Sequence, residues 1–358
     1  MSDRIVHVDE RERRFSSSNV TVVVSNYNGI AILGDCLESI QGLTSPVGEV
    51  IVIDDGSQDG SPAMVRNRFP DVRVLELGVN SGGILNKVRN RALMESKTDF
   101  VFLVDHDVTL KPDCLDELLR GLETLPHAAV CIPRTLYERD HSMIYQDGQV
   151  LHYAGTSLAR NRNFALGDAD NIPRLTIGWG VQLIDKHQAA EAGNFSENYV
   201  IGWGDDAEFN HRMNLTKHFC YHIPSAVVYH KRVKGARRYY AAVRNRWRFL
   251  LEFYQTRTLI LCAPALLVYE VSVILFIAKK GEMRQYSAAM RYILANMGSI
   301  WDVRRHVQSH RLVKDRELMT SGSIFVSSEY VDSHILAVGY RVMNAFLNAY
   351  WTIIRGVL

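Results

Sequence analysis

The chain has 358 residues, 47% of them hydrophobic and 22% charged, which allows one large domain or two ordinary ones and excludes a disordered tail or a disulfide knot. Forty-one Lys and Arg against thirty-nine Asp and Glu leave a formal charge of +2, so no global field argues for nucleic acid as a partner. The five cysteines are scattered without a Cys-x-x-Cys pair, which fits a reduced cytosolic compartment.

Residues 1–18 read as a charged leader with no apolar run that could serve as a signal-peptide core. From Val20 onward short β-branched runs recur: VTVVVS (20–25), EVIVID (49–54), VRVLEL (72–77) and FVFLVD (100–105). The segments between them have helical spacing. Cys36, Leu37 and Ile40 make one apolar face, and Leu115, Leu118, Leu119 and Leu122 make another behind Pro112, which suits a first helical turn. Apolar strands alternating with helices predict an α/β fold on a mostly parallel sheet covered on both faces. Such sheets bind ligands at the carboxyl ends of their strands. Those ends carry Ser25-Asn26-Tyr27-Asn28, Asp54-Asp55-Gly56-Ser57 and Asp105-His106-Asp107.

Asp105 and Asp107 stand i, i+2 just past a strand, where the chain leaves the pleat and both carboxylates can turn to one point. That suits a hard cation such as Mg²⁺, which takes one or two carboxylates and completes its shell with water and phosphates. The plain alternative is an acidic turn. A carboxylate ending the second strand can accept the N3–H of uracil or thymine or the N1–H of guanine, but cytosine offers no such donor. Asp55 is the first choice for that role and Asp54 the second; either can instead cap the following helix. Tyr27 can pack on a base or ribose, and Gly82 and Arg89 lie where the third strand turns into its helix, Arg89 within reach of a diphosphate.

His141–Asp170 is polar and turn-rich, and Ser225–His230 reads as a further strand. Between Lys231 and Arg248 stand eight basic residues and no acidic one. This run can bind diphosphate, rest on anionic lipid or form a solvated helix face; its place before an apolar helix favours lipid. That helix, Leu259–Ala278, would just span a bilayer core of about 30 Å, although Glu270 near its middle costs roughly 2.5–3.5 kcal/mol there. Lying in the interface therefore competes with crossing. His334–Leu358 also has helical spacing, and its Tyr340, Tyr350 and Trp351 suit an interfacial belt.

The succession VVVSNYNG, IVIDDGSQDGS, FLVDHDV, GWGDDAEFNHRM and IPSAVVYHK resembles the inverting nucleotide-sugar glycosyltransferases of family 2, over roughly residues 19 to 250. Members of the polysaccharide-assembly and rhamnosyltransferase-like type are the nearest in pattern. The resemblance implies a GT-A catalytic domain, Rossmann-like, over 19–255; the apolar helical stretches beyond it read as a C-terminal helical, membrane-associated region over 256–358. The resemblance also implies transfer of a hexosyl or deoxyhexosyl group from a UDP-, dTDP- or GDP-linked donor to a saccharide acceptor; the basic run before an apolar helix sets that transfer at the cytoplasmic face of the membrane, where a lipid-linked saccharide is the natural acceptor. The family's metal motif falls on Asp105 and Asp107, with His230 as third ligand to Mn²⁺ or Mg²⁺, and Asp105 also facing the donor. Its nucleotide aspartate falls on Asp55, beside Ser25. Asp206, or failing it Asp205, is then the base that takes the acceptor proton, and a pKa raised by burial near Trp203 would help. Both can instead cap the next helix. Trp179 and Trp203 are the residues expected to meet the acceptor sugar. A catalytically inactive nucleotide-sugar-binding or scaffold subunit is the alternative; its mark would be a broken metal or base position, and Asp105, Asp107, Asp206 and His230 are all present.

Overall fold

The β-branched runs become the parallel half of a central sheet. A computed structural model describes residues 14–231, 239–324 and 334–358; the leader's first thirteen residues and 232–238 of the basic run lie outside the described residues. In chain order come β1 (Val20–Asn26), α1 (Leu33–Gln41), β2 (Glu49–Asp54), α2 (Ser61–Arg68), β3 (Arg73–Glu76), α3 (Leu85–Glu95) and β4 (Phe100–Asp105). β1 lies parallel between β2 and β4, and β3 runs parallel to β2. Alternate residues of β1 enter different cores: Val20, Val22 and Val24 pack with α1, while Val23 packs with Val88 and Ala92 of α3. Coverage on both faces explains why these strands read as unbroken apolar runs.

Next come β5 (Val108–Leu110), α4 (Cys114–Thr124), β6 (Ala128–Tyr137), β7 (Asp140–Gln146), β8 (Gln149–His152), β9 (Thr156–Ala159), β10 (Arg174–Leu175), β11 (Gln182–Asp185), α5 (Lys186–Glu191), α6 (Ala207–Leu215) and β12 (Phe219–His230). The apolar faces read on α1 and α4 are both buried. Pro112 stands just ahead of the α4 N-cap, Asp113, rather than in the first turn. β11 inserts antiparallel between β4 and β6, and β12 runs parallel to β6. The sheet, ordered β10-β12-β6-β11-β4-β1-β2-β3, is therefore mixed, and uniformly parallel only from β4 to β3. The polar stretch 141–170 holds strands as well: β8 and β9 form a small second sheet.

The remaining elements are α7 (Tyr239–Phe253), α8 (Thr256–Lys279), α9 (Met283–Ala295), α10 (Met297–His310), α11 (Asp315–Leu318), β13 (Met319–Thr320) and α12 (His334–Ile354). They share a core with the earlier chain. Phe249, Leu250 and Phe253 of α7, Cys262 and Leu266 of α8 and Leu347 and Trp351 of α12 pack with Leu151, Ile177, Tyr199 and Ala207, while β13 joins β8. Among the described residues the core runs continuously across residue 255.

The basic run departs from the lipid and diphosphate readings wherever it is described beyond Lys231. Arg244, Arg246 and Arg248 are buried in α7, with 4%, 6% and 1% exposure. Arg248 pairs with Glu252 at 2.6 Å, and the Tyr199 hydroxyl donates to the same carboxylate at 2.8 Å. Arg246 pairs with Glu270, which also accepts from Trp247 Nε1 at 3.0 Å and the Tyr286 hydroxyl at 2.7 Å. Paired this way the cations serve as internal ties, because a buried charge is tolerated only with a partner. The expected aromatic belt also turns inward: Trp351 stacks on Tyr153 at 4.9 Å, and the Tyr350 hydroxyl donates to the Leu261 carbonyl at 2.8 Å. α8, with mean hydropathy 2.4 over its most apolar window, is long and apolar enough to cross a membrane by composition.

Candidate active site

The carboxyl ends of β1, β2 and β4 open on a cavity of about 440 Å³ lined by Ser25, Tyr27, Asp55, Asp105, Asp107 and His230 among others. β1 lies in the middle of the parallel strands, so its last residues fall between Asp54-Asp55 and Asp105, and β12 brings His230 alongside through β5. Tyr27 is half exposed on the cavity wall.

The two aspartates ending β2 part company. Asp54 is sealed beneath the cavity, accepting from Asn26 Nδ2 at 2.6 Å and from the Ser57 N–H at 2.8 Å. It ties β1 to the following turn. Asp55 faces the cavity and accepts from the Ser81 N–H at 2.7 Å, the Ser81 hydroxyl at 2.8 Å and Asn80 Nδ2 at 3.0 Å. With about four lone-pair positions on a carboxylate, one remains free. Gly82 does not line the cavity; its neighbours Ser81 and Gly83 do.

Asp105, Asp107 and His230 do not gather as one three-ligand set. Among the described residues no group of three or more His, Cys, Asp or Glu side chains is placed to hold a metal ion. His230 Nε2 lies 3.3 Å from Asp107 Oδ2. The Asp105 carboxylate points elsewhere, toward Gly180, where a Cβ would lie 2.8 Å from its Oδ2. The cause is local: Asp105 still belongs to β4, whereas Asp107 lies in the turn before β5 and meets His230 of β12. Burial foremost, and then the Asp107 charge, push the Asp105 carboxyl up. Burial also acts to raise Asp107, but the His230 ring bonded to it wins and holds it below the ordinary carboxylate range. Two ligands on the wall of a cavity remain a fitting set for an ion that draws its other ligands from water and phosphate.

The His230 ring is fixed from both sides. Tyr145 stacks on it at 4.7 Å and Trp179 meets it at 5.6 Å between centroids. Trp179 thus braces the histidine, and Tyr145 is a site residue that no sequence motif flags. His106 lines the cavity with Nδ1 at 3.1 Å from the Ser25 carbonyl oxygen.

The late acidic pair splits by partner. Asp205 is buried and ion-paired with Arg89 at 3.1 Å, and Arg89 also donates to Asn86 Oδ1 at 2.8 Å. Arg89 is itself 4% exposed and absent from the cavity wall, so its guanidinium is spent on Asp205 rather than presented to a diphosphate. Asp206 heads α6, where one oxygen accepts from the Ala207 N–H at 2.8 Å. Its other oxygen faces Gly178, where a Cβ would stand 3.3 Å away. Asp206 lies outside the cavity wall, with the Gly178-Trp179-Gly180 segment running between it and Asp105. The lack of side chains at those glycines lets both carboxylates approach. Burial, then the Asp205 charge, push the Asp206 carboxyl up to about 7, while Arg89 acts to lower it and Asp105 alike. Trp203 turns inward, donating to Ser157 Oγ at 3.2 Å and packing on Phe249.

Known proteins resemble this chain in sequence over part of its length and in fold. The family model "Glycosyl transferase family 2" matches residues 21–177. EpsH of Bacillus subtilis (strain 168), whose name places it among glycosyltransferases, is 28% identical over 147 residues, 37% of this chain and 41% of EpsH. The N-acetylglucosaminyl-diphospho-decaprenol L-rhamnosyltransferase of Mycobacterium tuberculosis (strain ATCC 25618 / H37Rv) is 25% identical over 244 residues, 61% of this chain and 77% of that protein. A crystal structure of GalNAc-T7 with UDP, GalNAc and Mn²⁺ superposes with TM-score 0.56 at 15% identity, covering 78% of this chain and 57% of that one. A likeness at that identity shows a common fold.

Proposed function

We propose, from a chain that carries a family 2 glycosyltransferase domain over residues 21–177, that it transfers a sugar from a nucleoside diphosphate to a hydroxyl of a lipid-linked saccharide, with inversion, in cell-surface polysaccharide assembly. The observation that carries this reading is the convergence of Asp55, Asp105, Asp107 and His230 on one cavity at the carboxyl ends of the parallel strands. Two relatives support it by name: GalNAc-T7 with UDP, GalNAc and Mn²⁺, and the enzyme named for N-acetylglucosaminyl-diphospho-decaprenol.

The free lone pair of Asp55 accepts the ring N–H of uracil, thymine or guanine, so UDP-, dTDP- and GDP-linked donors qualify and cytidine carriers do not. Tyr27 packs on the nucleoside. Asp107 and His230 would hold Mn²⁺ or Mg²⁺, which supplies positive charge to the departing diphosphate. Tyr145 and Trp179 keep the His230 ring in place for that role. Asp206, with its carboxyl raised by burial, takes the proton of the acceptor hydroxyl as the acceptor oxygen bonds to the anomeric carbon and the carbon–oxygen bond to the diphosphate breaks. Arg89 neutralises Asp205 and so leaves Asp206 as the base of the pair. The lipid-linked acceptor sets the work at the cytoplasmic face of the membrane.

A thermal-shift panel tests the reading, since a ligand that binds only the folded chain raises its melting point. UDP, dTDP or GDP with Mn²⁺ or Mg²⁺ is expected to raise Tm, and CDP is not. No rise with any of the first three in either metal would overturn it.

A further inference from the structure

We infer that the outer faces of α8 and α12 together form a docking surface for an anionic membrane leaflet, with both helices lying in the plane of the interface. The inference takes its purpose from the lipid-linked acceptor proposed above, but it stands on a separate part of the molecule.

On α8, Ile260, Leu267, Val271 and Leu275 are exposed at 68%, 65%, 47% and 62%. Ala263, Pro264 and Ala278 are exposed between and beyond them. The stripe follows helical spacing over about 27 Å, at 1.5 Å per residue. On α12, Val338, Val342, Phe346 and Ile353 are exposed at 42%, 64%, 38% and 73%. The opposite sides of both helices are occupied: Cys262, Ala265 and Leu266 share a core with Met343, Leu347 and Trp351. The helices are therefore neighbours with both stripes turned away from their common core. Exposed apolar stripes on two helices that share a core mark an interaction surface.

Charge decides the occupant. Among the described residues of α8 and α12, the exposed charged side chains are Arg257, Lys279 and Arg341, followed by Arg355 just past α12. The lone acid, Glu270, is buried against Arg246, Trp247 and Tyr286. An apolar stripe edged only by cations matches the acyl boundary and phosphates of an anionic leaflet. Two copies meeting through the same face would set Arg257, Arg341 and Arg355 of one against those of the other. A crossing orientation fails on the inner side, because the ties from Glu270 to α7 and α9 and the packing of Leu266 hold α8 along the protein. At the Arg257 end the stripe meets a recess of about 420 Å³ that also carries Trp301, 55% exposed, a residue suited to the headgroup level.

The test uses the full chain and vesicles of phosphatidylglycerol with phosphatidylcholine against phosphatidylcholine alone. Binding to the anionic vesicles is expected, weakening as salt rises, and L267E/V342E is expected to lose it at least tenfold. Both sites are exposed, so folding should survive, checked by circular dichroism. A folded variant that binds as well as the parent overturns the inference, as does a parent that elutes as a dimer which the variant dissolves. Orientation is read with a fluorophore on I260C or L275C, labelled selectively because all five native cysteines are buried. Equal quenching of both labels by a shallow spin-labelled lipid supports an in-plane helix; quenching of one label alone overturns it. The nucleotide thermal shift measured on the same variants separates this inference from the transferase reading, since loss of vesicle binding with the shift retained locates the effect on α8 and α12.

Discussion

Two regions concentrate charge, and they use it in opposite ways. In the strand-end cavity Asp55 keeps an unused lone pair, and the Asp107–His230 pair lines the same wall. In α7 the guanidinium groups of Arg246 and Arg248 are matched to Glu270 and Glu252 and closed off from solvent. The difference lies in saturation rather than charge density. Open valence at a cavity serves a ligand, whereas paired charge in a core serves the fold.

Cutting the chain after Gln255 probes that contrast hardest. It strips Leu266, Leu347 and Trp351 from the core that holds Tyr199 and Ala207, and it leaves Arg246 without Glu270. The fragment is expected to show no cooperative thermal unfolding. A fragment with a sharp transition and an intact nucleotide thermal shift would make the C-terminal helices an appendage.

D206N comes next, with an expected loss of about 10²–10⁴-fold in transfer rate and nucleotide affinity held within a few-fold. Its parent supplies a matching pH profile. A base works only after losing its proton, and the Asp206 carboxyl sits near 7, so the rate should climb as pH rises through that value and level off above it. D206N should lack that limb. A parent profile flat from pH 5 to 8 would remove Asp206 from the reaction.

The parallel strands and the polar residues at their ends were legible because both depend on local pattern: period, β-branching and the residue types just beyond the last apolar position. Asp55 against Asp54 was also readable in order of preference, since Asp54 is the last residue of β2 and Asp55 the first beyond it, where the chain leaves the pleat. Three things were not. That Arg89 would meet Asp205 depends on residues 116 apart in sequence. Tyr145 carries no motif, and only the pairing of β7 with β6 brings it beside His230. The arginines of α7 misled because sequence displays charge but not its partners, and Glu252 and Glu270 lie outside the run that drew attention.

R248A should cost about 3–5 kcal/mol of stability, the range for removing one member of a buried pair. Glu252, whose carboxyl burial pushes up to about 7 even with Arg248 acting to lower it, would lose its cation and have to take up a proton or stand charged without a partner. Urea unfolding measures the loss. A value below about 1 kcal/mol would mean that water reaches Glu252 in the variant, and would weaken the picture of α7 as a closed network.

K231A tests the other end of the same basic run and should cost at most about 1 kcal/mol. Lys231 pairs with Asp35, but that carboxylate is 60% exposed, so water screens the attraction and replaces it when the ammonium is gone. The contact that fixes residue 231 belongs to its backbone: the N–H donates to the Asp107 carbonyl at 2.8 Å, and alanine keeps that bond. Members of one basic run and alike in charge, Lys231 and Arg248 should therefore differ several-fold in what their removal costs. If the two losses measured by urea unfolding were equal, burial would not be what separates structural from surface charge in this chain.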